Sequence, residues 1–335
     1  MTRVVLDAMG GDHAPGAILD GVRRSLEAGD LDAGQVALAG PIDQIEPRLA
    51  EHGLDRQAID LHDAPDVLGG SCESPIDAMR KKPRNSIAVG VAKLKTGEAD
   101  AFLSAGNTGI VVATAKVALQ CLEGIRRPAI AVTINVESGP FIIIDAGANP
   151  QPKPLHLMQF ALMGSAYHRD AFGTAKPRVG LVNIGSESGK GSSLAKEAGQ
   201  LLRDAPINFV GNVEGVEMYR GACDVVVCDG FTGNVLLKAS EGVAEYMLKT
   251  AARVMREHEI GPQKMSAILG LMQKNVDYSE YGGAPLLGVE GSVTICHGRS
   301  EGPAIANAIR FATKAVGAKL NQHIVSAARE AAISP

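Results

Sequence analysis

Several features that mark particular classes of protein are missing from this chain. Its 335 residues include no tryptophan, and aromatic residues make up only 4% of the total. Binding modules that use aromatic anchors, and RNA-binding sheets that stack bases on aromatic side chains, are therefore not expected. The net charge of −4 also argues against general nucleic-acid binding, because nucleic-acid-binding domains carry basic patches.

Cysteine spacing and hydrophobic runs exclude further classes. The five cysteines are scattered and form no C-x-x-C pair, which is typical of small apolar residues in a reducing compartment. The N-terminus runs into a predicted strand without an apolar signal segment, and no apolar run approaches the roughly 18 residues that a membrane span needs. We therefore expect a cytoplasmic protein. Histidine spacing typical of metal ligands and a dinucleotide G-x-G-x-x-G are also absent, so no metal or other cofactor is expected.

Alternating strand and helix patterns run through the whole sequence. Strands are predicted near 3–8, 36–39, 58–62, 100–104, 129–134, 140–145, 178–183, 206–210, 224–228 and 291–297. Helices are predicted near 14–28, 42–51, 86–96, 108–122, 154–172, 192–203, 233–258, 262–275 and 303–330. This alternation predicts an α/β fold with a mostly parallel sheet. Because no linker or repeat interrupts it, we expect one domain over 1–335, either compact or with two lobes around a cleft.

Short polar loops marked by glycine follow five of the predicted strands. They are DAMGGDHAP at 7–15, SAGNTG at 104–109, DAGAN at 145–149, NIGSESGKG at 183–191 and DGFTGN at 229–234. The carboxyl ends of parallel strands share one rim of a sheet, which is where ligands bind. Glycine allows close approach of the backbone, and the first N–H groups of a following helix point at an anion. The sequence therefore predicts a wide site for a phosphate-sized anion and something larger.

Polar side chains in these loops are the candidate phosphate- and substrate-binding residues. They are Asp7, His13, Ser104, Asn107, Thr108, Asp145, Asn149, Asn183 and Asp229, together with Gly233 in the last turn. Acids at strand ends also serve by accepting bonds from loop amides, and asparagine is common in turns, so each residue alone has a purely structural interpretation. Asparagine in several loops of one predicted rim favours a binding site.

The loop at 185–192, GSESGKGS, resembles a nucleotide-binding Walker A loop but is one residue short. Lys190 is followed by Gly191 where that motif needs serine or threonine. We therefore predict no nucleoside triphosphate site. A lysine in a glycine turn is still well placed to contact a phosphate group, although an exposed loop lysine is the simpler alternative.

Two stretches differ from the surrounding pattern. A basic cluster in a mostly acidic chain comprises Arg80, Lys81, Lys82 and Arg84. It is either a solvated face or a docking surface. In the segment 261–283, helical spacing places Met265, Ile268, Leu269 and Met272 on one side. That side either packs in the core or in a dimer interface, or rests on a bilayer as an interfacial helix.

Long ordered motifs, taken together, resemble the bacterial phosphate acyltransferase family of phospholipid synthesis. They are DAMGGDHAP at 7–15, SAGNTG at 104–109, DAGAN at 145–149, NIGSESGKG at 183–191, DVVVCDGFTGNV at 224–235 and YGGAPLLG at 281–288. The resemblance extends from Val4 to about Ala312, which is nearly the whole chain. It implies a three-layer α/β/α sandwich with a Rossmann-like sheet, similar to phosphotransacetylases and isocitrate dehydrogenases.

The resemblance also implies an activity, partners and catalytic residues. The expected reaction transfers a long-chain acyl group from acyl carrier protein to inorganic phosphate, and an integral-membrane glycerol-3-phosphate acyltransferase then uses the acyl phosphate. The family is homodimeric and peripheral to the inner face of the membrane, which favours a dimer or membrane contact for 261–283. The lysine of the family's K-G loop falls on Lys190, and the asparagine of its G-F-x-G-N motif falls on Asn234. Both are the expected catalytic residues.

For the mechanism, we expect phosphate to attack the thioester directly, because no serine or cysteine lies in a convincing nucleophile–base pattern. Phosphate is expected on the loop amides near Ser104, Asn107 and Thr108. Lys190 would offset its charge. Asn234 would either donate to the oxyanion or fix the carbonyl, and His13 would hold or accept the phosphate proton. The basic cluster would dock the acidic carrier protein.

Three other functions stay open from the sequence. A phosphotransacetylase that uses coenzyme A would share the fold and the chemistry. An NAD-dependent decarboxylating dehydrogenase of similar fold would need a divalent metal site, for which no residues can be named. A non-catalytic anion sensor or membrane scaffold would bind phosphate without turnover.

Overall fold

The computed structural model describes residues 2–68, 74–276 and 282–333, which form two compact units. The first unit joins the chain up to Ile130 to its carboxyl-terminal part, and the second begins at Ala131. The strands, numbered along the chain, are β1 (Val4–Asp7), β2 (Val36–Gly40), β3 (Asp60–Asp63), β4 (Ala101–Ser104), β5 (Ala129–Ile134), β6 (Phe141–Ile144), β7 (Arg178–Val182), β8 (Asn208–Val213), β9 (Val225–Val227), β10 (Ala284–Leu287) and β11 (Ser292–Ile295).

The helices follow the strands in regular alternation. They are α1 (Gly16–Glu27), α2 (Ile42–Leu49), α3 (Pro75–Lys81), α4 (Ser86–Lys95), α5 (Thr108–Leu119), α6 (Pro154–Phe172), α7 (Ser193–Asp204), α8 (Gly215–Met218), α9 (Gly230–Glu257), α10 (Pro262–Val276), α11 (Gly302–Gly317) and α12 (Leu320–Ile333). Within the described ranges, none of these helices has both the length and the apolar character required to cross a membrane. The predicted α/β fold with a mostly parallel sheet is confirmed.

In the first unit, the strands lie in the order β3-β2-β1-β4-β11-β10. All neighbours are parallel except β10, which runs antiparallel to β11. Leu6 of β1 lies in register between Leu38 and Leu103, and all three side chains are buried. Such aliphatic strands are typical of parallel sheets whose two faces are both covered. The carboxyl ends of β1, β4 and β11 therefore lie side by side.

In the second unit, the strand order is β5-β6-β9-β7-β8. The β6, β9, β7 and β8 strands are parallel, whereas β5 is antiparallel to β6. Ile144 pairs with Val227, and Val227 pairs with Leu181, so the ends of β6, β9 and β7 are level. The loops that follow these strands consequently leave the same edge.

The structure differs from the sequence-based prediction at short elements and at one helix break. Strand β10 and helices α3 and α8 were not predicted, because each is at most seven residues long and shows no clear periodicity. The helix predicted over 303–330 is wrong as a single element. It divides between α11 and α12, where Lys319 adopts a left-handed φ of 56° that an α-helix cannot continue through.

Candidate functional site

Three loops pack together at the carboxyl ends of the first unit's strands. The Asp12 amide donates to the Gly298 carbonyl oxygen at 2.7 Å, which ties the loop after β1 to the loop after β11. A Cβ on Gly10 would lie 2.7 Å from the Gly106 amide nitrogen, so the loops after β1 and β4 can approach this closely only with glycine. We name residues 7–13, 104–109 and 297–299 the first-unit loops.

Asp7 is the buried support of the first-unit loops. Its carboxylate accepts from the Ser104 hydroxyl at 2.6 Å and from the Met9 amide at 3.0 Å, and Ser86 also hydrogen-bonds to it. Burial raises the pKa of Asp7, although these hydrogen bonds oppose the shift. The Ser104 hydroxyl in turn accepts from the Gly106 amide at 3.0 Å. From their buried positions, Asp7 and Ser104 therefore stabilise the backbone conformation of the loops after β1 and β4.

Exposed polar residues of the first-unit loops cluster at the start of α5. Asn107 caps that helix, because its side-chain oxygen accepts from the Ile110 amide at 3.1 Å. Asn107, Thr108 and Gly109 are exposed, and so is His13 in the neighbouring loop. The first N–H groups of a helix lack partners within the helix and carry partial positive charge. This arrangement can accept an anion.

In the second unit, the turn after β6 is organised around the buried carboxylate of Asp145. That carboxylate accepts from the amides of Ala148 and Asn149 at 2.9 and 2.6 Å, and from the Asn149 side-chain nitrogen at 2.9 Å. The Gly147 amide also donates to it at 3.2 Å. Asp145 and Asn149, both predicted as substrate ligands, thus form one rigid turn over residues 145–149.

The start of α9 packs against the 145–149 turn. The Gly230 amide donates to the Asn149 carbonyl oxygen at 2.8 Å, and a Cβ on Gly233 would overlap the Asp145 carbonyl oxygen. Asp229 caps the helix, because its carboxylate accepts from the Thr232 amide at 2.9 Å and from the Thr232 hydroxyl at 2.6 Å. Glycine at 230 and 233 therefore permits a contact between helix and turn that no larger residue would allow.

Asn234 follows this contact and is exposed one turn into α9. A Cβ on Gly147 would lie 3.9 Å from its side-chain oxygen, so the Asn234 amide lies over the glycine of the 145–149 turn. Its neighbour Phe231 is 68% exposed. The exposed side-chain amide of Asn234 therefore lies between the 145–149 turn and the N-terminal part of α9. At this position it could bind a carbonyl oxygen.

Lys190 lies in the loop that joins β7 to α7, residues 183–192. Its backbone carbonyl accepts from the Asn183 side-chain nitrogen at 3.1 Å. Gly191 follows with a left-handed φ of 88°, and a Cβ there would overlap the Asn183 side chain. Ser192 then caps α7 by accepting from the Ala195 amide at 3.2 Å. The Lys190 side chain, 52% exposed, is carried by a loop whose backbone is fixed.

The structure assigns the predicted site residues to the two units separately. His13, Ser104, Asn107 and Thr108 belong to the first unit, whereas Lys190 and Asn234 belong to the second. The expected placement of Lys190 beside a phosphate on the 104–108 loop stays a prediction. Within the second unit, β6, β9 and β7 are consecutive in the sheet, so the loops that carry Asp145, Asn234 and Lys190 leave neighbouring strands.

Buried cysteines offer no nucleophile near these loops. Cys228, at the end of β9, is buried, and its thiol lies 3.6 Å from the Asp145 carbonyl oxygen. Burial raises the pKa of the Cys228 thiol well above its usual range. It also raises the pKa of Cys223 and Cys296 to about 12. Because the thiolate is the reactive form, these three residues are inert near neutral pH.

The predicted basic cluster is exposed except at the half-buried Lys82, and it is partly engaged in contacts within the fold. The Lys82 ammonium donates to the Val67 carbonyl oxygen at 2.6 Å, and Arg84 pairs with Asp63 at 3.0 Å. Arg80 and Lys81, at the end of α3, are exposed. Arg80, at the exposed end of α3, is therefore the residue of this cluster that is best placed to meet a partner.

The predicted apolar side of 261–283 falls on α10, except for residues 277–281, which lie outside the described part. Ile268 is 40% exposed and Leu271 is 67% exposed, whereas Met265, Leu269 and Met272 are half-buried. On helix α9, Val243, Tyr246 and Met247 are also exposed. The predicted dimer or membrane contact of the 261–283 segment stays a prediction.

Supporting residues of both groups of loops were missed from the sequence. Ser86 bonds to Asp7, and the Asn212 side chain donates to the Glu187 carbonyl oxygen at 2.8 Å. Thr232 could have been found from Asp229, because an aspartate just before a helix is an N-cap whose side chain accepts from the amide two or three residues later. The contacts of Ser86 and Asn212 span long sequence separations and leave no local signal.

Comparison with known proteins gives a consistent result. A family model described as "Fatty acid synthesis protein" matches residues 2–323. A "Phosphate acyltransferase" of Heliobacterium modesticaldum is 44% identical over 332 residues, which cover 98% of this chain and 97% of the relative. A "Phosphate acyltransferase" of Desulforamulus reducens is 43% identical, again covering 98% and 97% of the two chains.

Solved structures resemble the chain in fold. The phosphotransacetylase from Streptococcus pyogenes has a TM-score of 0.61 at 17% identity, with 94% of each chain covered. The EutD phosphotransacetylase from Staphylococcus aureus has a TM-score of 0.59 at 16% identity, also with 94% of each chain covered. The expected likeness to the phosphotransacetylase fold is therefore confirmed.

Proposed function

Because the chain belongs to the bacterial phosphate acyltransferase family, we propose that it transfers a fatty acyl group from acyl carrier protein to inorganic phosphate. The observation that carries the proposal is identity above 40% to phosphate acyltransferases over nearly the full length of both chains. The site supports it, since exposed asparagine and lysine side chains lie on rigid, glycine-rich loops at the ends of parallel strands. The product is an acyl phosphate for phospholipid synthesis.

Phosphate attacks the thioester without an acyl-enzyme intermediate. A phosphate oxygen forms the new bond to the carbonyl carbon and the carbon–sulfur bond breaks. The carrier thiolate leaves and takes up the proton that the attacking phosphate gives up. The thiols of Cys223, Cys228 and Cys296 are buried with raised pKa values, which argues against a cysteine nucleophile. Ser104 is buried and donates to Asp7, so its hydroxyl lies below the loop surface.

Positioning and charge stabilisation then account for catalysis. In the second unit, the Asn234 amide donates to the carbonyl oxygen as it gains negative charge, and the Lys190 ammonium offsets the charge of phosphate. Both side chains are exposed on backbones that hydrogen bonds and close glycine contacts hold in place. Fixed donors of this kind stabilise a transition state because they do not need to reorganise.

In the first unit, the turn at Asn107 and the start of α5 form an anion-binding loop. The amides of Thr108 and Gly109 supply the donors, and the exposed His13 of the loop after β1 supplies the candidate imidazole. This part of the proposal is tested separately by inorganic phosphate binding to an Asn107→Asp variant. A carboxylate there would repel the anion, while its oxygen could still cap α5.

The test of the reaction compares two thiol carriers. The purified protein is incubated with phosphate and with either palmitoyl-acyl carrier protein or palmitoyl-coenzyme A, and both the released thiol and acyl phosphate are followed. Phosphate-dependent turnover with the carrier protein supports the proposal. Turnover with coenzyme A alone would reassign the chain to phosphotransacetylase chemistry, and phosphate binding without turnover by either would favour a non-catalytic role.

Carrier docking is assigned to the basic cluster, with Arg80 at the exposed end of α3 as the residue to test. Charge reversal by Arg80→Glu should raise KM for the carrier-protein thioester about fivefold, because an exposed rim charge acts mainly on encounter with an acidic partner. KM for a coenzyme A thioester should change much less. The measurement is the pair of KM values at low ionic strength.

A matched control for this variant is Lys196→Glu on α7, which makes the same charge change at another exposed position. It should leave KM for the carrier protein near the wild-type value. A change in kcat alone in Arg80→Glu, with both KM values constant, would remove the docking role from this cluster.

The exposed apolar face of α9 is assigned to contact with a second copy of the chain. Val243, Tyr246 and Met247 are exposed, and the i,i+3 and i,i+4 ion pairs Lys238–Glu241 and Lys249–Glu245 lie on the same helix. Acidic and basic residues in alternation flank the seams of paired helices, whereas helices that lie on a bilayer carry a mainly basic polar face. Membrane contact through α10 stays a prediction.

Tyr246→Glu should convert the homodimer to a monomer, because a carboxylate would be buried in an apolar interface. Light scattering of the variant and the wild-type protein gives the two masses. If the variant keeps the dimer mass but no longer binds anionic lipid vesicles, this face contacts the membrane and not a second copy of the chain.

A further inference from the structure

The Lys190 loop holds a pair of opposite charges on a fixed backbone. The Lys190 amide donates to the Glu187 carbonyl oxygen at 3.1 Å, which closes a tight turn between the two residues. The same carbonyl accepts from the Asn212 side chain at 2.8 Å, and the Lys190 carbonyl accepts from Asn183 at 3.1 Å. Both residues that bear the charges are therefore anchored through their backbones, while their side chains extend outward.

The two charged groups face one another without a direct hydrogen bond. The Lys190 Nζ and Glu187 Oε1 atoms are 3.8 Å apart, with side chains 52% and 66% exposed. At this distance the charges attract, but the three ammonium donors stay available for a closer acceptor. Glu187 therefore neutralises Lys190 loosely.

Gly185 lies directly beneath the side chains of Glu187 and Lys190. A Cβ at position 185 would lie 2.9 Å from Glu187 Oε2 and 3.3 Å from Lys190 Cγ. The Glu187 carboxylate and the stem of Lys190 thus lie over the same glycine. A carboxylate at that point resembles phosphate in charge and in its oxygen acceptors.

We propose that Glu187 is an internal counter-ion of Lys190 that competes with phosphate for the lysine ammonium group. This inference rests on the proposed role of Lys190 toward phosphate. Glu187 sets the affinity for phosphate by competing for one ammonium group and by repelling the arriving anion. It touches neither reacting atom, so it acts through Lys190 as a positioning residue.

Glu187→Gln keeps the shape of the side chain and removes its charge. The expected result is a decrease in KM for phosphate of about threefold, in the range that exposed ion pairs contribute. Calorimetry with inorganic phosphate should show tighter binding by the same factor without any turnover. Glu187→Asp, which keeps the charge on a shorter stem, should lie between the wild-type protein and Glu187→Gln.

Two further variants separate the possible outcomes. Glu197→Gln on α7 makes the same charge change at another exposed position of the second unit and should not alter phosphate affinity. In a Lys190→Ala background, Glu187→Gln should lose most of its effect, because the pair no longer exists. If Lys190→Ala abolishes turnover and Glu187→Gln leaves phosphate affinity unchanged or weaker, the counter-ion role is overturned while the proposed function stands. If Lys190→Ala keeps full turnover and phosphate affinity, the role of Lys190 itself fails.

Discussion

Replacing Lys190 by alanine should lower kcat for phosphate-dependent acyl transfer by about 100- to 1,000-fold, the usual cost of removing one preorganised group that stabilises transition-state charge. The fold should tolerate the change. The side chain is 52% exposed, and the loop is held through backbone contacts to Asn183 and Asn212 that alanine retains. Steady-state kinetics with the carrier-protein thioester and a thermal unfolding curve measure the two effects independently.

The arginine variant refines this expectation. Lys190→Arg keeps the charge but offers a planar fork of donors in place of a compact ammonium group, so it should recover part of the activity. If the charge were dispensable, Lys190→Ala would retain most of its turnover. That result would leave Asn234 and the start of α9 as the remaining candidates for stabilisation of the carbonyl oxygen in the second unit.

Among substitutions that add one methyl group in the second unit, Gly233→Ala should cause the largest loss of stability and activity. Its Cβ would overlap the backbone carbonyl oxygen of Asp145, which cannot rotate away as a side chain could. Overpacking of this kind lowers the free energy of unfolding by about 3 kcal/mol. The start of α9 must also move away from the 145–149 turn, and displacement of a catalytic group by about 1 Å can cost about 100-fold in rate. We expect Asn234 to lose its position and kcat to fall accordingly.

Gly199→Ala is the matched control for this variant. Gly199 is a buried helical glycine of the same unit, but a Cβ there would make ordinary contacts at 3.9 Å to Arg203 and Leu181. The free energy of unfolding of Gly199→Ala should stay near or slightly above the wild-type value, because alanine has a higher helix propensity than glycine. Denaturant unfolding of both variants gives the comparison. Equal stability of the two would show that α9 adjusts to a side chain at 233 without strain.

The sequence was most informative where a feature depends on local pattern. Strands such as Val4–Asp7 and Phe141–Ile144 are continuous apolar runs, and the glycine loops that follow them are readable as ligand-facing turns. Strand β10 has four residues, includes Pro285 and pairs antiparallel, so neither its length nor its composition distinguishes it from a loop. The positions of long elements were thus predictable, whereas short pairings depend on tertiary contacts.

The candidate site residues also differ in how much of their role the sequence could predict. Asp7, Asp145 and Asp229 were predicted from their positions at strand ends, and the structure shows their carboxylates engaged with loop amides, hydroxyls or a helix start. Which acids support loops and which side chains face outward depends on burial, which the sequence does not encode locally. The close contact of Gly233 with Asp145 joins segments far apart in the chain, so no local pattern could reveal it.

The burial of Cys223, Cys228 and Cys296 has a consequence for an enzyme that releases a free thiol at each turnover. The proposed reaction leaves the carrier's thiol beside the protein, and thiols that meet under oxidising stress can join as mixed disulfides. Thiols that are enclosed in the core and remain protonated take little part in that exchange. At these three positions, the protein is protected from covalent capture by its own by-product.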